Sequence, residues 1–218
     1  RAAADAGSDL PSFIADMDVD VTRWEAVLDA VTVRETSFFR DPQQLEAFIQ
    51  QVLPTLPDPL QIWSAGCSHG QEPYSLAIAL AEAGRSDVSI LATDISPAAV
   101  ARTVNASYGD RELRGLSQER LQENFVRKGK GWQINEPLRS RVSVLRHNLV
   151  TEPPPFSRGG CQVIFCRNVL IYFRPEVIAS TLERWWSWLP EGGHLFLGFS
   201  ESLWQVTDAF RLERIGPS

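Results

Sequence analysis

Short apolar runs alternate with amphipathic stretches over most of this chain. The apolar runs predict five buried strands, at residues 61–65, 88–93, 142–146, 162–166 and 194–199. The stretches between them predict helices at residues 72–83, 97–106 and 175–189. Strands that alternate with helices are typical of a parallel sheet covered on both faces. The pattern therefore predicts an α/β fold with a doubly wound sheet.

Three regions depart from this alternation. Residues 1–55 form a short N-terminal helical segment, in which Asp41 and Pro42 are expected to be the N-cap and first turn of a helix. The sheet domain then spans residues 56–218, with a small inserted subdomain at about residues 107–141. Residues 210–215 predict a sixth strand without a seventh beside it, so we expect the chain to be part of a longer protein.

Charge is distributed unevenly along the chain. The net charge of −6 argues against a general nucleic-acid binder, and no apolar run approaches the length of a membrane span. Residues 1–60 hold four basic residues against eleven acids, whereas residues 102–146 hold ten against five. Such a local basic field can steer an acidic partner, although a solvated polar face is the simpler interpretation.

Three cysteines are too few for a disulfide framework, and their odd number favours a reducing, cytoplasmic compartment. Cys161 and Cys166 lie five positions apart on one predicted strand, so we expect them on opposite faces. The sequence predicts no metal site from this pair.

The turn after the first strand carries the first sign of chemistry. Gly66 follows that strand and the helix begins near Glu72, which is typical of a nucleotide site because glycine lets backbone approach a ligand. The turn lacks the spacing of dinucleotide and phosphate loops. Asp94 ends the second strand, where an acid can bind ribose hydroxyls. Together these features favour an adenosyl ligand without pyrophosphate, such as S-adenosylmethionine; a plain capping turn beside a solvent-facing acid is the alternative.

Four ordered motifs make a resemblance specific. They are Thr36-Ser37-Phe38-Phe39-Arg40-Asp41, Trp63-Ser64-Ala65-Gly66-Cys67-Ser68 with Glu72-Pro73-Tyr74-Ser75, Ala92-Thr93-Asp94-Ile95, and Phe165-Cys166-Arg167-Asn168-Val169-Leu170-Ile171-Tyr172-Phe173. In this order they resemble the CheR-type family of chemoreceptor glutamate O-methyltransferases, from about residue 20 onward. The resemblance implies a Rossmann-like methyltransferase domain that uses S-adenosylmethionine and releases S-adenosylhomocysteine.

The resemblance also implies roles for individual residues. Glu72 would bind the ammonium of the cofactor and Asp94 its ribose, while Arg40 would orient the acceptor carboxylate and Tyr172 would lie near the departing methyl. The implied cofactor contacts are Thr36, Arg40, Gly66, Glu72, Asp94, Asn148, Leu149, Asn168 and Val169. The chain departs from the family at Arg34 and at His69-Gly70-Gln71.

The implied acceptors are glutamate-rich cytoplasmic helices of chemoreceptors. A glutamate carboxylate is already ionised at neutral pH, so no general base is required, and the sequence shows no nucleophile–base constellation. A methyltransferase with another acceptor, such as a small carboxylic acid or RNA, and a cofactor-binding sensor or scaffold are the two alternatives.

Docking of the receptor is expected at the basic insertion, since the N-terminal segment is short and acidic. Arg127, Lys128, Lys130, Arg139 and Arg141 concentrate there around a glycine-rich stretch. In this family the insertion can bind a receptor peptide as an added strand. Because Pro137 limits strand pairing in this short region, we expect an enzyme that needs no such peptide.

Overall fold

The computed structural model describes residues 36–203 and 206–213. Within these residues, five strands form a wholly parallel sheet of order β6-β2-β1-β7-β8. The strands are β1 (Leu60–Ala65), β2 (Val88–Asp94), β6 (Val142–Arg146), β7 (Val163–Cys166) and β8 (His194–Leu197). Each overlaps a predicted strand, so the predicted α/β class with a parallel sheet is confirmed.

Helices cover both faces of the sheet and give it two apolar clusters. They are α1 (Pro42–Ala47), α2 (Gln71–Glu82), α3 (Pro97–Asn105) and α6 (Pro175–Trp186). Because side chains alternate along a strand, Ile62 packs with α1 and α2 while Trp63 packs with α6 on the other face. The Trp63 and Trp185 rings lie 5.0 Å apart, edge to face. No helix in this part of the chain has the length and apolarity to cross a bilayer.

The insertion between β2 and β6 is a small antiparallel sheet of order β3-β5-β4. It contains β3 (Ser107–Tyr108), α4 (Gln118–Asn124), β4 (Phe125–Lys128), β5 (Gly131–Ile134) and the short α5 (Glu136–Arg139). Pro137 lies in α5 rather than in a strand, so the expectation that it limits strand pairing is wrong. The expectation of a peptide-independent enzyme therefore loses its main argument.

Helix α1 starts where the sequence predicts, but for a different reason. Asp41 occupies the N-cap position with a left-handed backbone (φ 53°), and its side chain does not cap the helix. Its carboxylate instead forms an ion pair with Arg167, at 2.6 Å. The helix continues through a π-helical turn (Phe48–Val52) into a 3₁₀ turn (Leu53–Thr55) that packs under the sheet.

Two further expectations fail. β7 begins at Val163, so Cys161 precedes the strand, and both Cys161 and Cys166 join the cluster around Trp185 rather than opposite faces. Residues 210–213 form no strand; the rest of the predicted sixth strand, like residues 1–35 with Arg34, lies outside the described residues.

Candidate active site

A cavity of about 470 Å³ opens at the carboxyl edge of the parallel sheet. The chain runs from β1 outward to β2 and β6, then returns to β7 and β8 on the other side of β1. Loops after β1 and β7 therefore diverge at the centre of the sheet, which is where ligands bind in open α/β folds. Loops after β2 and β6 complete the floor of the cavity, and residues 36–40 close it from the N-terminal side.

All ten residues to which the resemblance assigns a catalytic or cofactor role line this one cavity. They are Thr36, Arg40, Gly66, Glu72, Asp94, Asn148, Leu149, Asn168, Val169 and Tyr172. Of the departures from the family motif, His69 and Gln71 are not among the lining residues. Glu72, at the start of α2, does line the cavity. The altered stretch thus lies behind the wall of the cavity rather than in it.

Gly66 makes the tight approach between the β1 and β7 loops. Its φ of 78° is a left-handed conformation that favours glycine. A Cβ atom at this position would lie 2.5 Å from Cγ2 of Val169. The glycine therefore leaves the space that Val169 fills at the cavity wall.

Asp94 is held in place by two backbone donors. Its carboxylate accepts from the N–H of Ser68 (2.8 Å) and from the N–H of Ser96 (2.9 Å), one on each oxygen. A carboxylate has about four acceptor sites, so each oxygen keeps a lone pair for a ligand. The side chain is thus fixed at the end of β2 with capacity to accept hydroxyl hydrogens.

Glu72 is a buried acid with a cation beside it. Ser64 donates its hydroxyl to Oε1 at 2.8 Å, and Nη1 of Arg167 lies 3.6 Å from Oε2. Burial raises the pKa of Glu72, while Arg167, Ser64 and Arg40 oppose that rise. An acid with this desolvation gains most from a cationic ligand group that enters the cavity.

The segment that closes the cavity is attached through Arg167. This buried guanidinium donates from Nη2 to the carbonyl of Arg40 (2.7 Å) and to Asp41 (2.6 Å). The N–H of Phe39 donates to Ser75 of α2 at 2.9 Å. Phe39 and Asp41 both have positive φ, at 52° and 53°. Arg167 therefore links this segment to the end of β7 and to Glu72.

The cysteine in the cavity is a neutral thiol. Burial, together with the nearby Asp94 carboxylate, raises the pKa of Cys67 far above its ordinary value. Burial also raises the pKa of Cys166 well above that of a free thiol. Because the thiolate is the reactive form, neither side chain has the character of a nucleophile at neutral pH.

The β6 and β7 loops present amides and a phenol. Asn148 uses its side-chain oxygen to accept from the backbone N–H groups of Val150 (3.0 Å) and Thr151 (3.3 Å), so its NH₂ group is the part of the side chain that can still donate. Asn168 has a left-handed backbone (φ 60°), and its side-chain oxygen is buried without a partner among the described residues. Tyr172, in a 3₁₀ turn (Leu170–Tyr172), is half exposed at the mouth.

Two residues important to this geometry were not predicted. Arg167 stands within the fourth motif, and an arginine between a buried strand and Asn168 could have been suspected of pairing with Glu72. Glu201 lies after β8 in a stretch that the motifs do not reach, and its carboxylate accepts from the backbone of the β7 loop. No sequence signal pointed to Glu201.

The cavity residues fit S-adenosylmethionine. The cofactor carries an ammonium, a ribose diol and an adenine, and the cavity offers a buried acid (Glu72), a fixed carboxylate (Asp94) and an amide (Asn148). Buried oxygens on Ser68 and Asn168, which have no partner in the described part of the chain, add polar capacity at the wall. The volume is also within the range typical of small-molecule sites, about 300–1,000 Å³.

Comparison with known proteins shows the family of the chain. The family profile described as CheR methyltransferase, SAM binding domain, matches residues 34–216. Chemotaxis protein methyltransferase 1 of Pseudomonas aeruginosa is 41% identical over 207 residues, covering 88% of this chain and 75% of that protein. Cher2 of Pseudomonas putida is 40% identical (88% and 74% covered), and a chemotaxis protein methyltransferase of Listeria monocytogenes is 35% identical (90% and 76%). The chain belongs to the CheR methyltransferase family and is an S-adenosylmethionine-dependent methyltransferase.

Proposed function

We propose that this enzyme transfers the methyl group to glutamate side chains on the cytoplasmic helices of chemoreceptors. One observation supports this most. The cavity that offers the acids Glu72 and Asp94 to the cofactor is also lined by Arg40 and Tyr172. Arg40 is a planar bidentate partner for a carboxylate acceptor. The similar Pseudomonas and Listeria proteins are named chemotaxis protein methyltransferases, which agrees with receptor acceptors.

Each wall of the cavity would hold one part of the cofactor. Glu72 would accept from the ammonium, Asp94 from the ribose hydroxyls, and Asn148 would donate to the adenine edge beside Leu149. Gly66, Asn168 and Val169 would shape the central wall, and Thr36 would close over the methionine part. S-adenosylmethionine supplies a methyl group on a sulfonium sulfur, and the products are a glutamyl methyl ester and S-adenosylhomocysteine.

The protein has little proton chemistry to perform. A solvent-accessible glutamate has a pKa of about 4.3, so the acceptor is already an anion at neutral pH. The Cys67 thiol in the cavity is neutral, which agrees with direct transfer rather than a cysteine-bound methyl. Orientation of the acceptor by Arg40, with Tyr172 beside the transferred methyl, would be the main contribution, and orientation can lower a barrier by about 7–11 kcal/mol.

A methyl-transfer assay tests this proposal. The chain is incubated with methyl-labelled S-adenosylmethionine and a chemoreceptor cytoplasmic fragment, and the labelled fragment is then treated with base. We expect label in the fragment that base releases as methanol, because carboxyl methyl esters hydrolyse and N-methyl groups do not. A fragment whose acceptor glutamates are replaced by alanine is the matched control and should take up no label.

Other outcomes separate the alternatives. Base-stable label would assign a nitrogen acceptor, and transfer only to added small carboxylic acids would assign a small-molecule enzyme. Cofactor binding in calorimetry without transfer to any acceptor would make the chain a sensor or scaffold.

The basic insertion would supply the surface for receptor encounter. Ion pairs reduce its field: Arg102 pairs with Glu112 and Arg120 with Glu82, each at 2.7 Å, and Arg127 lies 3.5 Å from Asp110. The hairpin of β4 and β5 keeps an exposed edge that carries Lys130 at its turn. This hairpin is therefore where we place the encounter with an acidic receptor helix.

Charge reversal on the hairpin should slow methylation at low salt. Changing Arg127, Lys128 and Lys130 to glutamate is expected to lower kcat/KM for the receptor fragment by about tenfold at low ionic strength, because steering acts on association. The difference should shrink as salt shortens the Debye length from about 30 to 8 Å.

A single-site pair provides the control for net charge. Lys130→Glu is compared with Arg158→Glu, an exposed arginine in the loop that precedes β7, at the sheet edge opposite the cavity. Only the first should reduce kcat/KM. Equal rates in both variants and in the triple variant, with cofactor affinity unchanged, would move the encounter surface away from the hairpin.

A further inference from the structure

Glu201 gathers four backbone N–H groups onto one carboxylate. Oε2 accepts from Asn168 (2.7 Å) and Gly198 (2.6 Å), and Oε1 accepts from Val169 (2.8 Å) and Leu170 (2.7 Å). These distances are typical of charge-assisted hydrogen bonds. The carboxylate thereby joins the loop after β7 to the loop after β8.

The held loop is part of the cavity wall, whereas Glu201 is not. Asn168 and Val169 line the cavity, and Tyr172 follows them within one turn. Asn168 has a left-handed backbone (φ 60°), a conformation that few residues other than glycine and asparagine adopt. Three consecutive N–H groups aimed at one anion can hold the chain in that conformation.

Gly198 leaves the space in which this arrangement fits. A Cβ atom there would lie 2.8 Å from Oε2 of Glu201 and 2.9 Å from both the backbone nitrogen and the side-chain nitrogen of Asn168. A side chain at position 198 would therefore separate the carboxylate from the loop. Glu201 therefore makes the contact with the loop after β7, and Gly198 leaves the room for it.

Only an ionised carboxylate satisfies all four donors. Its two oxygens provide about four acceptor sites, one for each N–H group. A glutamine in its place would offer one oxygen and would turn an NH₂ group towards two N–H donors. Two backbone donors would then lose their partner, which is unfavourable for N–H groups that are largely withdrawn from water.

We propose that Glu201 is a positioning residue of the cofactor site, which sets Asn168 and Val169 at the wall through their backbone. Its action on methyl transfer rests on the proposed function. Its action on cofactor binding does not depend on which acceptor the enzyme uses.

The test compares Glu201→Gln with Glu191→Gln, a matched change at an exposed glutamate in the turn before β8. Calorimetry with S-adenosylhomocysteine should show an affinity about tenfold lower for Glu201→Gln and unchanged for Glu191→Gln, since the lost hydrogen bonds are to a charged group. Gly198→Ala should weaken binding in the same direction without altering any charge.

Amide hydrogen exchange separates positioning from a general loss of stability. In cofactor-free Glu201→Gln, the amides of residues 168–170 should exchange at least tenfold faster, while those of β1 and β2 keep their protection. Unchanged affinity in a folded Glu201→Gln protein, or faster exchange spread evenly over the sheet, would overturn the proposal. Because neither readout uses an acceptor, failure to methylate chemoreceptors would not affect it.

Discussion

Replacing Arg40 with lysine should lower kcat about a hundredfold while changing the affinity for S-adenosylmethionine by less than about threefold. Lysine keeps the positive charge, so the field at Glu72 is largely preserved. It loses the planar fork that would align a carboxylate, and a misplacement near 1 Å can cost about a hundredfold in rate. The expected result is therefore a defect in turnover rather than in cofactor binding.

Single-turnover methylation of a receptor fragment and calorimetry with S-adenosylhomocysteine measure the two quantities separately. Arg174→Lys, at the exposed N-cap of α6, is the matched control and should behave as the unmodified chain. An equal loss of rate and of affinity in Arg40→Lys would instead make Arg40 a cofactor ligand without a role in orienting the acceptor.

Replacing Glu72 with glutamine should have opposite effects on binding and on stability. Loss of the charged partner of the cofactor ammonium is expected to weaken binding about 50- to 100-fold, as for a hydrogen bond between charged groups. Without cofactor, the variant should melt at a higher temperature near neutral pH. Burial raises the pKa of Glu72, so the folded protein favours the neutral form that glutamine imitates.

The pH dependence of the melting temperature tests the direction of this stability effect. Because the pKa of Glu72 is higher in the folded than in the unfolded state, its contribution to the free energy of unfolding is most favourable at low pH and is lost as pH rises through the folded-state pKa. The difference in melting temperature between Glu72→Gln and the unmodified chain should therefore shrink as pH falls below neutral. Glu183→Gln, on an exposed face of α6, should show no such trend.

A lower melting temperature for cofactor-free Glu72→Gln at neutral pH would contradict this explanation. It would mean that the Arg167 and Ser64 contacts outweigh the burial of the charge. Unchanged cofactor affinity would remove Glu72 from the ammonium site altogether.

The sheet and the location of the site could be predicted because both follow from local patterns. Apolar runs and helical periodicity identify parallel strands, and parallel strands in one sheet end at the same edge. Residues at or just after the ends of those strands, such as Gly66, Asp94 and Asn168, must then lie near one another at that edge. Their roles towards the cofactor stay predictions.

Contacts between segments distant in sequence could not be predicted in this way. Asp41 has the residue type and position of an N-cap, but the Arg167 guanidinium, 126 positions later, takes its carboxylate. Glu201 is one glutamate among many until β8 brings it to the β7 loop. The face on which Cys161 lies likewise depends on the residue at which β7 begins. Hydrophobic periodicity does not locate the end of a strand to within one or two residues.

The left-handed backbone at Phe39 and Asp41 has a consequence for the stability of the closed segment. Each costs about 1–2 kcal/mol for a residue with a Cβ, and the contacts of Arg167 and Ser75 offset that cost while the segment is closed. A closed segment under strain needs less energy to open than a relaxed one with the same contacts. Since residues 36–40 form one wall of the cavity, opening them would release a spent cofactor. The strained turn therefore lowers the free energy that opening requires, which favours release of the product over its tight retention.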